Sequence, residues 1–181
     1  MSNQNFKNKS KVHVYIDGAN FYNSIKNETE KNKDLILKNL VVHLKDKHKN
    51  SEIKIYYFIG ELLAKKDLYR KLQDFGYILI FKDVVFTKNK IKGNCDADLI
   101  VEAMKDLYEE NVKSIIVSSD GDFAPLVKHL QIKNSFQYLI SPNLNCSLLL
   151  KKLNCKIVYL DEIKNKLLIK NEKTPNIDET M

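Results

Sequence analysis

The chain has 181 residues, 44% of them hydrophobic, and its 30 basic residues outnumber 23 acidic ones to leave a formal charge of +7. That length and apolar content predict one folded domain with a real core, and no apolar run approaches the ~20 residues a membrane helix needs. The polar start MSNQNFKNKSK predicts no secretory signal, so the expected location is the cytoplasm.

Lysine carries nearly all of the positive charge, with Arg70 the one arginine. Lysines act on phosphate as point charges, not as planar forks that read bases, so a polyanion gripped with little sequence selectivity is one reading and a merely soluble surface is the other. Cys95, Cys146 and Cys155 form no CxxC pair and stand at no metal-ligand spacing from the histidines. Small buried residues are the expected role for them, and neither zinc nor disulfides are expected.

Residues 1–10 read as a disordered arm. Val12, Val14 and Ile16 then alternate with His13 and Tyr15 in a first strand that ends at Asp17, Gly18, Ala19 and Asn20. His13 is expected to be a packed or edge histidine. Phe21, Tyr22 and Ile25 open a short helix, and a polar spacer from Asn27 to Lys33 leads to a longer one. That helix is predicted to be capped by Asp34 and to turn Leu37, Leu40, Val41 and Leu44 inward. A second strand, Ile53–Ile59, passes at Gly60 into a helix through Leu63, Leu68 and Leu72 that ends at Gly76. Tyr77–Phe81 is a third strand.

Residues 82–93 break the rhythm as a short hairpin or basic loop bearing Lys82, Lys88, Lys90 and Lys92. Asn94 is the expected cap of the helix that follows. At about 100° per residue, Ile100, Ala103, Met104 and Leu107 form its apolar face with Asp96 in the middle. Asp98 and Glu102 point away and read as a solvated face, Asp98 being close enough to the helix end to reach a site. A carboxylate on a buried face is costly unless paired or bound to a metal, so Asp96 is the acid that needs a reason.

A buried strand through Ile115, Ile116 and Val117 stops at Ser118, Ser119, Asp120, Gly121 and Asp122. Asp122 is the predicted cap of the next helix, with Pro125 in its first turn. Phe136–Ile140 is a fifth strand, Asn145–Leu153 an apolar helix, and Ile157–Leu160 a last short strand. Asp161 is expected to cap a terminal helix reaching Ile169, and 170–181 reads as a disordered tail. The whole predicts a single α/β domain over 11–169 whose alternating strands and helices build a mainly parallel sheet covered on both faces.

Ligands of open α/β sheets bind just outside the carboxyl ends of the strands. Asp17, Asp96, Asp120 and Asp122 are all expected at such edges. If the strands ending at Asp17 and Ser118 are neighbours, the four acids meet in one cleft. Four carboxylates cannot remain ionised together without a cation, and an oxygen-only ligand set suits Mg2+ or Mn2+. Such an ion activates water against a phosphodiester and stabilises the leaving oxygen. Lys92 is assigned to neutralise the scissile phosphate, Asn20 to hold a water or phosphate oxygen, and Ser119 to contact substrate. Gly18 is expected to serve a tight turn and Gly121 a left-handed conformation between two acids.

The segments VYIDGANFY (14–22), KGNCDADLIVEAM (92–104) and VSSDGDFAPLVKHL (117–130) together resemble an NYN domain, of the PIN-like nuclease superfamily, and the resemblance spans about residues 11–165. It implies a three-layer α/β/α fold with the first and fourth strands side by side. It also implies metal-dependent ribonuclease activity, with Asp17, Asn20, Asp96, Asp120 and Asp122 at the family's acidic and amide positions. RNA is the implied partner, and a protein partner or second copy of the chain stays open. Ser119 stands where a glycine is common and Asp98 where a glutamate is common. The competing readings are an RNA-binding or regulatory module that keeps the acids but cleaves nothing, a DNA nuclease, and a phosphatase or phosphotransferase of another doubly wound fold. Against the last, the haloacid-dehalogenase nucleophile motif wants an aspartate where Ala19 stands.

Overall fold

The structure, a computed structural model, describes residues 9–60, 65–82, 85–87, 90–92, 95–110 and 112–169, with the backbone alone over 85–87 and 90–92. The expected arm, the tail, the Asn94 cap and the Leu63 position lie outside the described residues, except that Lys9 is described and Ser10 opens the first strand.

Six strands form the central sheet: β1 (Ser10–Asp17), β2 (Ser51–Gly60), β3 (Ile78–Lys82), β6 (Lys113–Val117), β7 (Phe136–Ser141) and β8 (Ile157–Tyr159). Their order is β3-β2-β1-β6-β7-β8, and every neighbouring pair is parallel. The irregular basic stretch is a separate antiparallel hairpin, β4 (Val85–Thr87) with β5 (Lys90–Lys92).

β1 shows why the sheet is covered on both sides. Val12, Val14 and Ile16 enter one core with helices α1 (Gly18–Ser24), α2 (Glu30–Lys47), α3 (Lys66–Phe75) and α7 (Leu160–Leu168). Tyr15, on the alternate face, enters the other core with α4 (Asp96–Glu110), α5 (Ala124–Ile132) and α6 (Leu148–Lys151). A strand buried on both faces belongs to a parallel sheet between helical layers, and the expected three-layer α/β/α architecture is present.

Four helix starts differ from the sequence expectation. α2 begins at Glu30, capped by Thr29, whose hydroxyl accepts from the Asn32 amide at 3.3 Å. Asp34 instead takes an ion pair from Lys71 of α3 at 2.7 Å. The first turn of α2 reads as a spacer because its residues are polar, although Lys33 lays its stem in a buried position. Asp122 is not a cap: Asp120 accepts from the Asp122 amide at 3.0 Å and starts a 3-10 turn, Gly121–Phe123, that leads into α5. Asp161 lies inside the first turn of α7, where Tyr159 is the cap and the Glu162 carboxylate accepts from its amide. The apolar stretch from Asn145 forms only one turn, capped by Ser147.

On α4 the buried stripe is Leu99, Ala103, Asp106 and Leu107, with Ile100 and Met104 half-buried. The apolar face is thus rotated toward Leu99, and Asp96 is half-buried at its upper end.

Candidate metal centre at the sheet's switch point

From β1 the chain builds outward to β2 and β3, then returns to the other side of β1 as β6. The crevice where strand order reverses therefore opens above the carboxyl ends of β1 and β6. Ile16 pairs in register with Val117, so Asp17 and Ser118 leave the sheet side by side.

Asp17 is held on both oxygens. Oδ1 accepts from the Asn20 backbone amide at 3.0 Å, capping α1, and Oδ2 accepts from the Ser118 hydroxyl at 3.0 Å. Burial pushes its pKa up; those two hydrogen bonds pull it back, and the charges of Asp96 and Asp120 raise it further. The strands thus bring Asp17 into the electrostatic field of acids from two other segments.

Asp96, Asp120 and Asp122 each offer an oxygen within 4.8 Å of the other two. The loop after β6 builds this arrangement. Ser118 accepts from the Asp120 amide at 3.1 Å, and the Asp120 carboxylate caps the 3-10 turn that carries Asp122. Asp96 arrives from the first turn of α4. Asp17 lies outside that mutual trio.

Gly121 does not take the left-handed conformation expected of it, since among the described glycines positive φ is found at Gly76 and not at Gly121, while Gly18 opens α1 directly after the Asp17 cap. Both permit close approach. A Cβ on Gly18 would stand 2.4 Å from the Phe58 carbonyl oxygen and 2.4 Å from Tyr57 Cε1, and one on Gly121 would stand 2.4 Å from Ser147 Oγ. Tyr57, fully buried beneath the crevice, donates from its hydroxyl to the Gly18 carbonyl at 3.1 Å.

Asn20 is fixed by its neighbour in the loop. Its Oδ1 accepts from the Ser119 amide at 3.1 Å and the Ser119 hydroxyl at 2.9 Å. A backbone amide can only donate, so the carbonyl end of Asn20 faces Ser119 and the NH2 end is the one left for a ligand. Ser119 is buried, and its hydroxyl also accepts from Asn143 Nδ2 at 3.2 Å. Asn143 escaped the sequence reading. The signal that could have found it is its place just past the carboxyl end of β7, in Ser141-Pro142-Asn143.

Lys82 escaped it too, as a residue of the site. It ends β3 and pairs with Asp98 at 2.7 Å, so Asp98 is ion-paired instead of merely solvated. That hydrogen bond raises the Lys82 pKa, with Asp98 and Asp96 contributing through their charges. Burial pushes the neighbouring Cys95 thiol up to about 11, with Asp98, Asp17 and Asp96 adding to the rise. The side chain of Lys92 lies outside the described residues.

The model of the NYN domain family matches residues 11–152. Among solved structures, a protein of unknown function from Vibrio parahaemolyticus has the same fold at 18% identity, with a TM-score of 0.67 over 86% of this chain and 96% of that one. No curated protein matches. The family match takes in β1 with Asp17, the start of α4 with Asp96, and the Asp120 loop, the three segments that meet at the switch point. On that match over most of its length, the chain belongs to the NYN domain family.

Proposed function

We propose that the chain is a divalent-metal-dependent ribonuclease that hydrolyses phosphodiester bonds at the acidic cluster. The observation that carries this reading is the convergence of Asp96, Asp120 and Asp122 within 4.8 Å of one another at the crevice of an NYN domain. Their all-oxygen donor set fits Mg2+ or Mn2+, and fits zinc or copper poorly.

When bound there, such an ion supplies Lewis acidity toward a phosphate and its attacking water. Asp96, Asp120 and Asp122 would hold it. Asp17 adds a fourth carboxylate, and a cation at the cluster relieves the repulsion that helps raise its pKa. Asn20, oriented by Ser119, presents its NH2 to a substrate oxygen. Ser119, buried with its hydroxyl engaged by Asn20 and Asn143, acts on substrate through Asn20, and Lys92 supplies positive charge against the phosphate.

The test is incubation of an end-labelled single-stranded RNA and its DNA counterpart with magnesium, manganese or EDTA, using the wild type and Asp120→Asn. The reading expects products from RNA with metal and the wild type, and a loss of at least ~100-fold in Asp120→Asn. Cleavage that resists EDTA, or that Asp120→Asn retains, contradicts it. Retarded RNA without products from either protein would turn the reading to a binding module without turnover.

A further inference from the structure

The acidic cluster continues on one side into a groove that the roles above leave unused. It lies between α5 and α6, has a volume of about 600 Å³, and is lined by the Gly121–Asp122 loop, Ala124, Pro125 and Lys128 on one side and by Leu149 and Leu153 on the other. Its volume falls within the ~300–1,000 Å³ usual for small-ligand sites. Two of its lining residues, Gly121 and Asp122, belong to the loop that builds the acidic cluster.

The groove and the cluster are fastened together. The Ser147 amide, at the cap of α6, donates to the Ser119 carbonyl at 3.0 Å. Gly121 has no side chain to hold Ser147 or Leu149 away, since a Cβ there would meet Ser147 Oγ at 2.4 Å and Leu149 Cδ1 at 3.1 Å. Leu149 is left 56% exposed as an apolar wall. Asp122 and Lys128 are the two lining residues with polar side chains.

We propose that this groove is a nucleobase subsite, in which one unpaired base of an RNA strand lies against Leu149 and Pro125 while an adjoining phosphate is held by Lys128. The inference rests on the reading of the acidic cluster as a phosphodiester site and adds how the strand is placed in it. Charge and continuity select this occupant. A small anion would have no use for the aliphatic walls, and an apolar protein side chain would have none for Lys128 beside a carboxylate. A nucleotide uses both, and the next phosphate along the strand then meets the cluster through the shared Asp122 loop. The walls offer aliphatic carbon and few polar groups, so the subsite accepts any base with little preference. A base already paired and stacked in a duplex has no free face to give it, so single strands are favoured.

The test reads affinity and needs no turnover. Fluorescence anisotropy is measured for a short labelled single-stranded RNA and for the same strand with abasic residues, in calcium, which takes oxygen ligands of the same kind. The proteins are the wild type, Leu149→Ser and Lys128→Ala, both changes lying at exposed positions. The wild type is expected to bind the base-bearing strand about tenfold more tightly than the abasic one. Leu149→Ser should bring the two within about twofold. Lys128→Ala should weaken both equally and lower the salt slope by about one.

Equal affinity of the wild type for the two strands, or a ratio that Leu149→Ser leaves unchanged, would overturn the proposal. So would an unaltered salt slope in Lys128→Ala, or a dimer in solution that Leu149→Ser dissociates, which would put a second copy in the groove. Absence of cleavage with the base dependence intact would strike the nuclease reading alone. Cleavage without base dependence would strike this one alone.

Discussion

Asp106 is the most deeply buried acid of α4, and its partners are structural. It accepts from the Tyr15 hydroxyl at 2.8 Å and lies 2.6 Å from His13 Nδ1, inside a layer where Tyr15 stacks on Tyr56. Removing it would leave two buried polar partners without their acceptor. Asp106→Ala is therefore expected to lose roughly 2–5 kcal/mol in urea denaturation. Cleavage per folded molecule should be unchanged, and a selective loss of cleavage with full stability would place Asp106 in the chemistry instead. Sequence spacing singles out Asp96, which is half-buried at the end of the apolar face, yet passes over Asp106, which lies in the buried stripe itself. The reason is physical: its justification comes from His13 and Tyr15, some ninety residues away on β1, and one-helix periodicity cannot see partners across a sheet.

At the scale of elements, the strands were far more legible than the helix starts. Alternating and continuous apolar runs identify the inner strands β1, β2, β6 and β7 because a strand buried on both faces has little choice of residue, and the half-exposed edge strands β3 and β8 keep enough apolar residues to be read as well. Helix starts were misread where the cap was one of several polar candidates, as with Thr29 against Asp34 and Asp120 against Asp122. The Asp120 case matters for function, because shifting the cap to Asp120 places Asp122 in a 3-10 turn beside Asp96. The left-handed expectation for Gly121 fails for a related reason: the need for glycine there arises from atoms in another segment. Gly121→Ala drives a Cβ against Ser147 Oγ, and overpacking of this kind costs about 1–3 kcal/mol. A lower melting temperature and slower cleavage are expected together, with partial rescue by Ser147→Ala, which removes the hydroxyl. An unperturbed Gly121→Ala protein would refute the close-packing role.

Across the whole molecule, the surplus of lysines and the acidic crevice act at different ranges. The +7 charge attracts a polyanion from a distance, whereas the crevice repels it at contact unless a cation intervenes. No helix among the described residues is long and apolar enough to cross a membrane. Cation occupancy is therefore the condition on which the proposed chemistry depends, and it is linked to folding, since an ion that binds the native cluster stabilises it. At a manganese concentration of 100 Kd the gain is about 2.7 kcal/mol, which for a chain of this length raises Tm by about 5–10 °C. Thermal melting of the wild type and Asp120→Asn, with manganese and with EDTA, measures this directly. The wild type should show that rise and Asp120→Asn most of its absence, with a metal-free Tm no lower than the wild type's because one repelling carboxylate is gone. No rise in the wild type, or the same rise in both proteins, would contradict the assignment of Asp96, Asp120 and Asp122 as a divalent cation site.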